Sequence, residues 1–143
     1  MTGLPHDTVD ARLRGAGRRY TAQRRRLVEL LADAGPLSIP EILRGRRGLK
    51  QSSVYRNLAV LERGGIVERV HADDGFSRYE LAEELTGHHH HLICSSCGRV
   101  DDVAFPPAFE RSLDRALDRS AARAGFATVS HRFDVIGRCR GCA

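Results

Sequence analysis

Two identical hooks dominate the sequence: Cys94-Ser-Ser-Cys97 and Cys139-Arg-Gly-Cys142, with four consecutive histidines, His88 to His91, directly ahead of the first. A pair of C-x-x-C hooks can wrap a single tetrahedral cation, and all-thiolate ligation most often selects zinc. Such a site has no open coordination position, so it holds structure and performs no chemistry. In a reducing compartment, paired hooks read as a zinc site more readily than as disulfides. The histidines are then ligands left over for at least one exchangeable metal. The 41 residues between the hooks exceed what a zinc ribbon uses and leave room for a strand, a helix and a returning strand.

At 143 residues the chain makes one mid-sized domain or two small ones. A hydrophobic fraction of 41% suits a folded soluble protein. No apolar run approaches the ~20 residues of a membrane span, and no secretory h-region opens the chain, so a cytoplasmic protein without membrane contact is expected. The net charge of +5 is unevenly spread: residues 1–63 carry 13 Lys and Arg against 6 Asp and Glu, while residues 64–143 carry 10 against 12. A basic first half is what phosphate neutralisation requires, although solvated helix faces give the same balance.

Apolar spacing organises that first half. Val9, Leu13 and Ala16 recur at i, i+4 and i+7, and Gly15 and Gly17 end a first helix. Thr21 is suited to cap a second helix with Leu27, Leu30 and Leu31 inside, broken by Gly35-Pro36. Ser38 caps a short third helix that buries Ile39, Ile42 and Leu43. A turn over 45–48 leads to a fourth helix, opened by Ser52 or Ser53 and stopped after Arg63 by Gly64-Gly65. In it Val54, Leu58 and Leu61 point inward, while Ser52, Arg56, Ala59 and Arg63 form the opposite stripe beside Tyr55. Small residues interleaved with arginine suit a surface that enters a DNA major groove. Residues 66–71, a turn over 72–75 and residues 76–81 read as a two-stranded hairpin. Helices followed by such a wing make a winged helix-turn-helix, a module that binds DNA and in other proteins binds protein.

Residues 82–87 read as a linker. The expected organisation is therefore α+β, with a winged-helix domain over 1–83 and a small α/β dimerisation domain over 84–143. In the second unit, residues 88–94 and 99–104 read as strands around the first hook. Pro106-Pro107 starts a helix with Phe109, Leu113, Ala116 and Leu117 on one face, and residues 127–136 read as a last strand with Val129, His131, Phe133 and Val135 on one side. A unit of about 60 residues builds little core, so a zinc staple and a partner subunit are expected, the metal contributing on the order of 10 kcal/mol. If the histidine run is extended, His88 and His90 face one way and His89 and His91 the other, so one short strand can serve two metal sites. Further donors lie at Glu80, Asp102, Glu110 and His131.

With these motifs assembled, nearly the whole chain resembles the ferric uptake regulator family of bacterial metal-dependent repressors. The resemblance is carried by Tyr20-Thr-Ala-Gln-Arg24, Ser53-Val-Tyr-Arg-Asn-Leu58, Ser77-Arg-Tyr-Glu-Leu81, His88-His-His-His-Leu-Ile-Cys94 with Cys97, and the Cys139/Cys142 pair. It implies a structural zinc on Cys94, Cys97, Cys139 and Cys142. It further implies a regulatory site on Glu80, His89, His91 and Asp102, and a second site on His88, His90, Glu110 and His131. Tyr55 and Arg56 match recognition-helix contacts, with Ser52, Ser53 and Arg63 beside them, and Arg19 matches a basic residue that reaches the minor groove. One departure stands out: the family often places a histidine from the DNA-binding domain in the regulatory site, and Pro36 occupies that position here. Glu68 or His71 from the wing would replace it, or the site keeps fewer ligands.

The expected function is a homodimeric repressor that binds palindromic double-stranded DNA when its regulatory metal is present. Imidazoles and carboxylates without a thiolate favour Fe2+ or Mn2+ there, beside the structural Zn2+. With iron the resemblance extends to the family's peroxide-sensing branch, which the residues do not choose. A zinc-sensing repressor of the same family is the alternative, and a zinc-stabilised protein-interaction module a more remote one. No small-molecule substrate and no enzymatic activity are expected: a zinc hydrolase or deaminase would need His-x-Glu beside Pro-Cys-x-x-Cys, and all four cysteines are claimed by a closed site.

Overall fold

A computed structural model describes residues 3–45, 48–72 and 74–143. The turns expected over 45–48 and 72–75 include Arg46, Arg47 and Asp73, which lie outside the described residues. Helix α1 (His6–Gly15) buries Val9 and Leu13, whereas Ala16, one residue past its end, is exposed. Thr21 accepts the Arg24 N–H and caps α2 (Ala22–Ala34), which buries Leu27, Val28 and Leu31 and half-buries Leu30. The chain then forms a strand the sequence reading lacks, β1 (Leu37–Ser38). Two residues carry no alternation to read.

Ser38 and Glu41 open α3 (Ile39–Gly45) with a reciprocal capping box: the Ser38 N–H donates to Glu41 Oε2 at 2.7 Å, and the Glu41 N–H donates to Ser38 Oγ at 3.3 Å. Helix α4 (Gln51–Arg63) buries Val54, Leu58 and Leu61 as spaced. Its start corrects the expectation, because neither Ser52 nor Ser53 caps it. Leu49 packs on the core and brings the chain in earlier, so the helix begins at Gln51 behind an extended Lys50, without a side-chain cap. Strands β2 (Val67–His71) and β3 (Ser77–Leu81) pair antiparallel, and β3 is central, with β1 on its other edge. These elements share one core that runs from Val9 and Leu13 through Leu27, Ile42 and Leu58 to Ile66 and Leu81. The N-terminal part is a winged helix-turn-helix.

The segment read as a linker is partly folded. Ala82 is buried, and α5 (Glu83–Thr86) makes one helical turn before Gly87. Arg12 holds it to α1, donating to Glu84 at 2.8 Å and to the Gly65 carbonyl at 2.9 Å. Beyond it, β4 (His90–Cys94) lies between antiparallel β5 (Val100–Val103) and parallel β6 (Asp134–Gly137). The strand expected over 127–136 forms only at its end, since pairing begins where Asp134 meets His91, and Val129 is 98% exposed. Helix α6 (Pro107–Arg123) starts on Pro107 but buries no residue: Phe109 and Ala116 are exposed, and Leu113 and Leu117 are half-buried. Its expected inner face thus has no cover within a single chain.

The two parts touch. Val70 and Ala72 of the wing pack on Ile93 and Val100. The Asp74 carboxylate lies where a side chain on Gly98, at φ 74°, would collide with it. Among the described residues, no helix is long and apolar enough to cross a membrane.

Candidate metal centres and recognition surface

Three clusters of donors form around β4. The first gathers Cys94, Cys97, Cys139 and Cys142, with all four Sγ atoms within 4.8 Å of one another. Cys94 ends β4, and the following turn closes through the Gly98 N–H on the Cys94 carbonyl at 2.9 Å. The Ser95 N–H donates to Gly137 of β6 at 2.8 Å, which brings the second hook alongside. Cys97 Sγ and Cys139 Sγ stand 3.8 Å apart, too far for a disulfide. That spacing is the edge of a tetrahedron with metal–sulfur bonds of about 2.3 Å. Backbone N–H groups of Cys139, Cys97 and Ser96 bring the Cys94 thiol down to about 6, whereas hydrogen bonds to Cys139 and Cys97 push Cys142 up to about 12. Four sulfurs this close shed their protons together only around a cation, and the donor set fits zinc.

The second cluster joins His88, His90, Glu110 and His131. The Nε2 atom of His88 lies 3.2 Å from Nε2 of His90 and 3.1 Å from Nε2 of His131, and His90 Nε2 is 3.0 Å from Glu110 Oε1. Donor spacings of this size match the roughly 3.3 Å edge of a tetrahedron with metal–nitrogen bonds of about 2.0–2.1 Å. Glu110 Oε2 is buried and receives no hydrogen bond. Burial pushes the Glu110 carboxyl up, but His90, His88 and His131 outweigh it and hold the group below the usual carboxylate range.

The third cluster spans the two parts: Glu80 comes from β3, His89 and His91 from the histidine run, and Asp102 from β5 opposite His91. Glu80 Oε1 lies 2.8 Å from His91 Nε2, and Oε2 lies 3.1 Å from His89 Nε2. Asp102 Oδ1 is 3.8 Å from both imidazoles. Burial raises Glu80, yet the hydrogen bonds and charges of His91 and His89 win and lower it. Burial likewise lowers His89 and His91, but Glu80 and their other acceptors raise both. Asp102 is raised, first by burial and then by the Glu80 charge. Glu80 is buried, His89 and His91 are half-buried and Asp102 is exposed, and a set of two imidazoles and two carboxylates converging in this way fits a divalent cation.

The structure brings the sequence-derived ligands together in these three groups, with His90 and His91 opening β4 and His88 and His89 just ahead of it. Glu68 and His71 lie outside the tight groups. They line a cleft of about 210 Å3 that reaches Glu80, His89 and His91, and Glu68 faces Arg132 at 3.7 Å. The Gly35-Pro36 break borders the same cluster, since a side chain on Gly35 would reach Asp102, and Pro36 offers no donor. Three carboxylates that sequence reasoning passed over hold the outer nitrogens of the histidines. Glu83 bonds His88 Nδ1, Asp114 lies 3.0 Å from His131 Nδ1, and Asp134 lies 3.2 Å from His91 Nδ1. The strand read over 127–136 contained Asp134, but only its parallel register against β4 sets that residue opposite His91.

On α4, Ser52, Tyr55, Arg56 and Arg63 are exposed, Tyr55 by 53%, while Ser53 and Ala59 are half-buried. Arg24 donates to Asn57 at 3.0 Å and to the Arg19 carbonyl, tying the exposed Arg19 segment to this helix. Asn57 was not singled out by the sequence, because its role depends on that cross-helix contact.

Fold and site together define a winged-helix protein with two candidate metal-ligand clusters in its small α/β unit and a third shared between that unit and the wing. Residues 15–136 match the ferric uptake regulator family, and the chain belongs to it, a family of metal-responsive transcriptional regulators. The chain is 31% identical over 136 residues to the peroxide operon regulator of Bacillus subtilis, covering 92% of this chain and 88% of that one. It is 32% identical over 132 residues to the zinc uptake regulation protein of Mycobacterium tuberculosis, covering 89% and 96%. The ferric uptake regulator of Helicobacter pylori, whose structure reveals three functional metal-binding sites, superposes with a TM-score of 0.75 at 28% identity, covering 99% of this chain and 97% of that one.

Proposed function

We propose that this chain is a transcriptional repressor that binds a palindromic DNA operator as a homodimer when Fe2+ or Mn2+ occupies the Glu80, His89, His91 and Asp102 cluster. The observation that carries this reading is the cluster's span, with Glu80 on the wing and the other donors beyond α5. Residues 1–83 would be the DNA-binding domain and 84–143 the dimerisation domain. A bound divalent cation supplies the positive charge that lets Glu80 and Asp102 share one site with two neutral imidazoles. Closing that cluster fixes the angle at which α4 leaves the α/β unit, and only one angle presents both recognition helices to adjacent half-sites. Ser52, Ser53, Tyr55, Arg56 and Arg63 would face the major groove and Arg19 the minor groove.

The remaining donors have separate tasks. Cys94, Cys97, Cys139 and Cys142 would hold Zn2+ and lock β6 against β4. His88, His90, Glu110 and His131 would hold a second cation within the α/β unit. The exposed Phe109, Phe126, Val129, Val135 and Ile136 supply apolar surface for a second copy of the chain. The absence of a thiolate from the third cluster supports Fe2+ or Mn2+ over Zn2+ as its ion. Operator binding titrated with each ion, at several salt concentrations, tests the proposal. We expect tight binding with Fe2+ or Mn2+ and a steep log–log salt slope. Metal-independent or salt-independent binding would overturn it.

A further inference from the structure

Every outer nitrogen but one in the two histidine clusters has an identifiable holder, and the holders differ in kind. His89 Nδ1 is held at 2.9 Å by the Gly87 carbonyl, a local bond within its own turn. His91 Nδ1 is held at 3.2 Å by Asp134 Oδ1, from a strand that arrives 43 residues later. The backbone dictates this pairing, because β4 and β6 run parallel with His91 directly opposite Asp134. In the other cluster Glu83 and Asp114 hold His88 and His131 in the same way.

We infer that Asp134 is the positioning residue of the interdomain cluster, fixing the tautomer and ring plane of His91 so that its Nε2 lone pair faces Glu80 and the cation. A carboxylate accepting from Nδ1 keeps the proton on that nitrogen and leaves Nε2 free to ligate. Without it, His91 can carry its proton on Nε2 or rotate towards the cleft, and its share of the site is lost. The position of Asp134 has a second consequence. It opens β6, and the same strand leads directly into Cys139. The four-cysteine staple that holds β6 in register therefore also holds Asp134 behind His91, so structural zinc and regulatory metal are coupled through one short strand.

This inference rests on the reading of the Glu80 cluster as the regulatory site, and Co2+ binding to the zinc-containing dimer separates the two. The readouts are Co2+ affinity and the ligand-field absorption band, with zinc content and dimer state measured alongside. Glu80→Gln should remove the band assigned to this cluster; if it does not, the reading of the site falls and the inference with it. If Glu80→Gln removes the band, Asp134→Ala should weaken Co2+ there about 10–100-fold and alter the band shape, with one zinc per chain retained. Asp134→Asn, which keeps an acceptor oxygen, should recover part of the affinity and the parental band shape. Asp114→Asn should leave this band untouched, because it acts on His131. Parental affinity and spectrum in Asp134→Ala, with Glu80→Gln silent, would overturn the positioning role alone. Loss of zinc from Asp134→Ala would overturn it too, by showing that the residue serves the fold of β6.

Discussion

Arg78 is almost fully buried in the wing, and its charge is met by Asp74 at 2.7 and 2.8 Å and by Glu41 at 3.8 Å. Removing Asp74 would leave that guanidinium short of its main partner, so Asp74→Ala should cost about 3–5 kcal/mol in urea unfolding. The hydrogen bond from Arg78 holds the Asp74 carboxyl below its ordinary range. Because the folded value is depressed, the stabilisation is present above the unfolded value of about 3.9 and is lost as pH falls through the folded one. The stability gap between the parent and Asp74→Asn should therefore close on acidification; a gap that holds constant below pH 3 would show the charge to be immaterial. The two histidine clusters predict a contrast at the same scale. His91→Ala should melt almost as the parent does yet fail to tighten on DNA when metal is added. His131→Ala should instead lower dimer stability, since its ring stacks at 5.3 Å on His90 and sits 15° from the plane of Phe133. Operator affinity with and without metal, measured for both, decides which cluster is the sensor.

Helix α4 shows how one element divides its faces between stability and recognition. Leu58 is 1% exposed in the shared core, so Leu58→Ala should cost about 2–5 kcal/mol, read by thermal or urea unfolding. Tyr55, on the other face, is half exposed and contributes little to that core. Tyr55→Ala should leave stability unchanged and cost about 1–3 kcal/mol of discrimination between operator and mismatched DNA. Arg63→Ala should weaken binding to all sequences alike and flatten the salt slope. Footprints identical to the parent for both variants would rule out docking through this face. The division was legible in the sequence because a period of 3.6 separates Val54, Leu58 and Leu61 from Ser52, Arg56 and Arg63. The helix start was not, since Leu49 on the core outweighed the local preference of serine for a cap.

At the scale of the molecule the question is what holds the α/β unit together. Its described core within one chain amounts to Ile93 and Val100, borrowed against Val70 of the wing, and α6 buries nothing. Such a unit depends on its staple and on cover for its apolar surface. Cys97→Ser should lose about one zinc per chain and the dimer together, as seen by metal analysis and sedimentation. A zinc-free Cys97→Ser protein that stays dimeric and melts like the parent would refute the structural role.

The sequence by itself determined the elements whose signals are local and repeated. The hooks at Cys94/Cys97 and Cys139/Cys142, the apolar period of α2 and α4, the capping residue Thr21 and the alternation of the histidine run all state their roles within a few residues. The cysteines and histidines were legible as ligands for the same reason, whereas Glu80, Asp102, Glu110 and His131 were assigned to sites only by the family resemblance. Tertiary structure alone decided what depends on partners distant in the chain. The strand at Leu37–Ser38 exists because Tyr79 and Arg78 offer it an edge, and β6 begins at Asp134 because that is where His91 meets it. Asp134, Asp114 and Glu83 acquire meaning only once folding sets them behind particular imidazoles. A single carboxylate on an amphipathic chain has no period and no motif, and its role is fixed by the ring it is brought to face.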